Sequence, residues 1–226
     1  TPKEITNRLV KDIEGMTFSP PVSYVYNPLI YARKSYDLYI RKYGRKPKEI
    51  LLLGMNPGPF GMAQTGVPFG EVEAVKNWLK IETPVGTPEK THPKRPVDGF
   101  QCSKSEVSGR RVWGWAERRF GDPEQFFSRF FVTNYCPLIF IEGSGRNRTP
   151  DKLPKIEKKS LLEVCNKALR ETVKYYSPRI VIGVGAFAEK QAQAALQGLD
   201  VKTGKILHPS PANPKANRGW EDYIEN

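Results

Sequence analysis

Three apolar runs stand out along the chain: Glu49–Gly54, Arg129–Asn134 and Arg179–Val184, with a weaker fourth at Lys205–His208. None alternates apolar with polar residues, so each reads as a strand buried on both faces, the habit of a parallel sheet. Between them the period changes. Leu161, Leu162, Cys165, Ala168, Leu169, Val173 and Tyr176 form one stripe at helical spacing within Ile156–Tyr176. Ala186–Leu196, rich in Ala, Gln and Glu, reads as a helix directly after the third run. Asn27–Tyr43 reads as an N-terminal helix stopped by Gly44. Strand–helix alternation predicts an α/β three-layer sandwich, a central and mostly parallel four-stranded sheet with helices on both faces. Residues 1–226 are expected to form one domain.

In such sheets ligands bind beyond the carboxyl ends of the strands, so the residues after each run are the candidates for chemistry. After the first run comes Gly54–Glu71, GMNPGPFGMAQTGVPFGE. Asn-Pro-Gly alone is ordinary turn chemistry. Glycine, however, lets backbone approach a ligand, and proline holds a loop stiff. Phe60, Met62 and Phe69 would be odd loop residues unless they line something. No Gly-Lys-Ser/Thr follows, so this is not a phosphate loop. After the second run comes Asn134, either a cap or an amide able to donate and accept at a base edge. After the fourth come His208 and the stretch HPSPANPKANRGW, where prolines stiffen the backbone and Ser210, Asn213, Lys215, Asn217 and Arg218 offer phosphate donors. Gly183, Gly185 and Ala188 follow the third run in a dinucleotide-like spacing. Asp200 lies in a polar turn and too little chain remains, so these glycines are read as helix–strand packing.

Charge adds a partner to this picture. Lys and Arg number 36 against 24 Asp and Glu, a formal net charge of +12. That balance points to a polyanion, nucleic acid first and anionic membrane second. No run of about 20 apolar residues could span a membrane, and the chain opens without an apolar signal core. It begins at Thr1, and its last residues, to Asn226, read as a helix cut short, so a trimmed sequence is expected. Cys102, Cys136 and Cys165 are dispersed, and His92 and His208 are the two histidines. Neither a disulfide framework nor a metal site is expected.

The run Gly54-Met55-Asn56-Pro57-Gly58-Pro59-Phe60-Gly61-Met62-Ala63-Gln64, with Asn134-Tyr135-Cys136-Pro137-Leu138 and His208-Pro209-Ser210-Pro211 after it, resembles the single-strand-selective monofunctional uracil-DNA glycosylases. These belong to the wider uracil-DNA glycosylase superfamily. The resemblance runs from about residue 25 to residue 220. It implies a DNA-repair enzyme that flips uracil, or a C5-oxidised uracil such as 5-hydroxymethyluracil, from single- or double-stranded DNA. The N-glycosidic bond is then hydrolysed without a metal or cofactor and without strand cleavage through a lysine.

By position, Asn56 would hold the water and His208 would stabilise the leaving base at O2. Asn134 would read O4 and N3, Phe69 would stack on the base, and Gly58 and Met62 would border its C5 side. Met55 joins the base-binding set. Ser210, Pro211, Asn213, Lys215, Asn217 and Arg218 would engage DNA. Ala212 stands where an arginine is expected, which weakens that engagement. The implied protein is a monomer in the nucleus, or in the cytoplasm of a bacterium if the source is prokaryotic. Two other functions fit parts of the pattern: a mismatch-directed uracil or thymine glycosylase of the same superfamily, and a non-enzymatic single-strand binder.

Overall fold

The computed structural model describes residues 1–225; Asn226, which the sequence placed in a helix, lies outside them. The chain opens with helix α1 (Pro2–Ile13), closed by a Thr1–Glu4 capping box, and strand β1 (Val22–Tyr26). Helices α2 (Pro28–Tyr31) and α3 (Arg33–Tyr43) lead to β2 (Ile50–Gly54). The short α4 (Met62–Thr65) is followed by α5 (Val107–Phe120) and α6 (Pro123–Arg129). Next come β3 (Phe130–Asn134), β4 (Ile139–Glu142), the two-residue β5 (Asn147–Arg148) and the long α7 (Lys155–Tyr176). Strand β6 (Ile180–Val184), α8 (Ala186–Leu196), β7 (Lys202–Ile206) and α9 (Asp222–Glu225) complete the chain.

The four predicted strands form one sheet in the order β3-β2-β6-β7, parallel throughout. Helices flank it. Successive residues of a strand point to opposite faces, and β3 shows this with aromatics. Phe131 stacks on Tyr39 of α3 at 5.3 Å and meets Tyr176 of α7 at 4.6 Å. Phe130 turns the other way, stacking on Phe126 of α6 at 4.8 Å with its edge toward Trp115 of α5. Gly183 packs on α8, where a Cβ would lie 2.5 Å from Glu189 Cα. Gly183 is therefore helix–strand packing, whereas Gly185, at φ +92°, lies against His208, whose Cβ a side chain there would meet at 3.1 Å.

Three features differ from the sequence reading. The fourth strand spans Lys202–Ile206 instead of Lys205–His208. It is an edge strand whose two lysines are exposed, so an apolar-run criterion missed its start and carried its end too far. The predicted helix Asn27–Tyr43 breaks at Ala32, whose φ of −105° leaves the helical region. Gly66 presses on Ala32 there, with room for no Cβ. A second sheet, antiparallel in the order β1-β4-β5, lies beyond the carboxyl end of β3.

Candidate active site

Strands β2, β3 and β7 end at the same side of the sheet, and the residues just past them meet at one cleft. The ladder continues beyond the strands: Tyr135 N–H donates to Gly54 O and Cys136 N–H to Met55 O, both at 2.9 Å. That register sets Asn56 beside the Cys136–Leu138 turn. The cleft encloses about 360 Å³ and is lined by Asn56, Gly58, Phe69, Asn134 and His208 among others. Residues separated by more than 150 positions in the chain thus face one volume large enough for a nucleobase.

Each polar side chain has one end fixed. Asn56 Nδ2 donates to Leu138 O at 3.0 Å. Its Oδ1 has no partner among the described residues and is left as an acceptor facing the cleft. His208 is held by its own turn: Ser210 N–H donates to Nδ1 at 3.1 Å. Nδ1 is therefore unprotonated, and burial holds the imidazole below its usual pKa of 6.5. The proton of the neutral ring sits on Nε2, which can donate. His92 makes the same His-Pro turn, with Lys94 N–H on Nδ1 at 3.0 Å, but its Nε2 is spent on Gly143 O at 3.0 Å and the residue is buried. One histidine is a structural lock; the other keeps a free donor.

Asn134 and Phe69 depend on Gly54. Asn134 Oδ1 and the Phe69 ring both lie over its Cα, where a Cβ would collide with the amide oxygen and come within 2.8 Å of Phe69 Cε2. Phe69 has φ +52°, a left-handed conformation that costs a bulky residue on the order of 1–3 kcal/mol. Gly109 at the start of α5 packs against the Phe69 carbonyl and holds it there. Such strain concentrates at functional sites.

The loop between these residues is pinned from below. Gln64 is buried; its Nε2 donates to Pro59 O and Pro96 O, and its Oε1 accepts from Asp98 N–H and Gly99 N–H. Phe60 lies under Arg95 and Lys104, at 5.3 Å and 5.0 Å from its ring.

Of the residues expected from sequence, Met55, Asn56, Gly58, Phe69, Asn134, His208 and Ser210 share the cleft. Met62 does not. It is buried behind Asn134, whose Nδ2 contacts its Sδ at 3.2 Å, so it supports the amide instead of walling the cleft. Pro211, Ala212, Lys215 and Arg218 are exposed, and Ala212 N–H donates to Oγ of the cleft-lining Ser210 at 3.2 Å. Asn213 Oδ1 accepts from Lys215 N–H at 3.2 Å. Asn217 differs from expectation: its Nδ2 donates to Pro211 O at 2.9 Å and its Oδ1 accepts from Arg111 at 2.8 Å, so its amide braces the loop. The sequence reading missed Arg111, which also donates to Pro209 O at 2.8 Å. It missed Trp220 too, whose indole donates to Leu207 O at 2.6 Å. Glu106, Ser108, Asn147 and Thr149 line the cleft without having been singled out. Among the described residues no group of three or more His, Cys, Asp or Glu could hold a metal ion. No described helix is long and apolar enough to cross a membrane.

Residues 41–224 match the profile described as the Uracil DNA glycosylase superfamily. The chain belongs to the uracil-DNA glycosylase superfamily. The single-strand selective monofunctional uracil DNA glycosylase of Mus musculus is 50% identical over 216 residues, which cover 95% of this chain and 77% of the mouse protein. The corresponding protein of Bos taurus is also 50% identical over 216 residues, 95% of this chain and 79% of its own length. A crystal structure of wild-type SMUG2 from Pedobacter heparinus superposes with a TM-score of 0.71 over 98% of this chain and 94% of that one, at 20% identity. That likeness supports the fold.

Proposed function

We propose that this protein is a monofunctional glycosylase that flips uracil, or a C5-oxidised uracil such as 5-hydroxymethyluracil, out of single- or double-stranded DNA and hydrolyses its N-glycosidic bond. Excision of uracil from DNA follows from family membership. The observation that carries the finer reading is the pair of free polar atoms in one cleft, Asn56 Oδ1 and His208 Nε2.

The reaction needs a leaving uracil made stable as an anion and a water delivered to an electron-poor sugar. A neutral His208 donating from Nε2 to O2 does the first, and a directed donor of this kind is worth about 3–4 kcal/mol. Asn56 Oδ1 accepts from the water and orients it. An amide is a weak base, but an oxocarbenium-like sugar is so electrophilic that positioning suffices. Asn134 meets the O4–N3 edge, and Phe69 stacks on the ring, returning about 1–3 kcal/mol of the unstacking cost. The net charge of +12 supplies backbone affinity independent of sequence, and the exposed Lys215 and Arg218 follow His208 in the chain. The water and the leaving group account for both products, a free base and an abasic site, and no lysine adduct is required.

The deciding experiment is a single-turnover assay on a uracil-containing single-stranded oligonucleotide in EDTA, with wild type beside His208→Ala. Free uracil from wild type, strongly reduced in the variant, is expected. Tight binding without release would overturn the reading and leave a single-strand binder.

A further inference from the structure

The pole of the parallel sheet opposite the cleft carries charge that the chemistry above does not use. Arg41–Lys48, RKYGRKPK, holds five basic residues and no acidic one in eight. It forms the last turn of α3 and the link into β2, so it sits at the amino ends of the strands, whereas the cleft lies beyond their carboxyl ends. The neighbouring strands are entered in the same way. Arg129 and Arg179 directly precede β3 and β6, and Lys202 opens β7 in register with Ile180. Neighbouring strands lie about 4.8 Å apart, so the basic entries form a row about 14 Å long across the sheet.

Few acids offset this row. Glu49 pairs with Arg129 at 2.7 Å and with Arg179 at 3.8 Å. Arg41, Arg45 and Lys46 are exposed and have no ion pair among the described residues. Lys46 Nζ instead lies over the Tyr175 ring at 5.2 Å. A hollow of about 360 Å³ beside them is lined by Lys42, Arg45, Lys46 and Lys48, with Glu124 and Phe127 among the rest. Lys48 is buried, at 4% exposure, and its ammonium donates to Phe127 O with no carboxylate partner among the described residues. Burial lowers its pKa to about 8. A buried cation without a counter-charge is costly, and an anion in the hollow would offset that cost.

The five residues of β2 hold this pole about 16 Å from the cleft end of the sheet. We propose that it is a second, non-catalytic DNA-binding face, which takes the phosphate backbone of one DNA segment while the cleft holds another. Two grounds favour DNA over an acidic protein. The chain belongs to a DNA glycosylase superfamily. The row is also extended, as a backbone of recurring charges is, and its arginine forks match phosphate geometry. The inference uses family membership and none of the roles assigned inside the cleft. A second hold lets the enzyme grip new DNA before it leaves the old.

The test is simultaneous capture of two DNAs. Protein is loaded on an immobilised uracil-containing single strand, and a labelled uracil-free duplex of unrelated sequence is added over a range of salt. Wild type is expected to retain the duplex. Arg45→Gln/Lys46→Gln changes two exposed side chains, so folding should not suffer. It is expected to cut capture at least about tenfold and to lower the salt slope by about two phosphate contacts. Lys11→Gln/Lys190→Gln removes the same charge from exposed sites elsewhere and should lose less than about threefold, since salt screens distant charges. Single-turnover uracil release at saturating protein is expected to be the same in all three. A loss of that rate confined to Arg45→Gln/Lys46→Gln would overturn the placing of this face outside the reaction. No capture by wild type, or an equal loss of capture in the two double variants, would overturn the inference. So would capture of labelled polyglutamate in place of the duplex, which would make the face a site for acidic protein. Wild type that captures the duplex but releases no uracil would overturn the glycosylase reading and leave this one standing.

Discussion

Ser210 N–H donates to Nδ1 of His208 across 3.1 Å, and this bond exists only while the imidazole is neutral. Protonation would replace the acceptor with a second donor and break the turn. Burial lowers the folded pKa below 6.5, so the neutral ring persists through pH 6.5 and is lost as pH falls through the folded value. A depressed histidine pKa also means that its contribution to stability is present above 6.5 and disappears over the same acid range. The single-turnover rate should therefore show an acid limb below pH 6.5. A rate that instead fell as pH rose through the histidine range would show that His208 acts as an imidazolium.

Gly54→Ala tests the contact on which Asn134 and Phe69 depend. The added methyl collides with the Asn134 amide and meets the Phe69 ring at 2.8 Å. Both must move, and a shift of about 1 Å in a positioned group can cost 10²-fold in rate. The expected result is a loss of uracil release of that order, with some loss of thermal stability. An unchanged rate would show that the close approach is not needed.

Asn134→Asp changes the donor pattern offered to the base edge. A matched pair of hydrogen bonds is worth about 1–3 kcal/mol of discrimination, so activity should shift from uracil toward cytosine. Quantifying free cytosine from a single strand checks this, and no release above background would count against the role assigned to Asn134.

Arg111 clasps the His208 loop at two points, Pro209 O and Asn217 Oδ1. It touches no reacting atom, so its role is positioning. Arg111→Met should lower the rate about tenfold, on the scale of one charged hydrogen bond, and Asn217→Ala should do part of the same damage. A double-mutant cycle should give strong coupling, because the two share one bond. Additive losses would mean that they act separately.

Ala212 is exposed, so its replacement meets no packing penalty. Ala212→Arg should tighten binding to single-stranded DNA and steepen its salt dependence by about one phosphate contact. A salt titration of binding reads both, and an unchanged slope would place residue 212 away from the backbone.

Much of the fold was legible because parallel strands buried on both faces leave uninterrupted apolar runs, and three of four strand ends fell within a residue of their predicted place. The position of the cleft was legible too, since Asn56, Asn134 and His208 lie at or just past the carboxyl ends of strands and line one cavity. What escaped detection had competing local signals. Helix α5 contains Gly109 and Gly114 and lacks a side-chain cap. Gly109 is there because the Phe69 carbonyl leaves no space for a Cβ, a demand set by tertiary structure. The antiparallel sheet is built from strands of two to five residues, too short for a period to show. Glu106 reads in sequence as one solvated acid in a basic segment, and nothing local says that it turns inward. The Asn217 amide looked available because its partner, Arg111, lies 106 positions away.

β7 is the outer strand of the parallel sheet, paired along one side, and it delivers His208. The strands that carry Asn56 and Asn134 are neighbours on the far side of β6. Loosening of β7 would withdraw the imidazole while the stacking ring and both amides stayed in place. Under the proposed roles such a molecule would still hold an extruded base but would release it from the sugar far more slowly. Under those roles the donor to the leaving base and the groups that hold the base are thus housed on different parts of the scaffold, and the fraying of a single edge would separate a sensor of damage from an enzyme that acts on it.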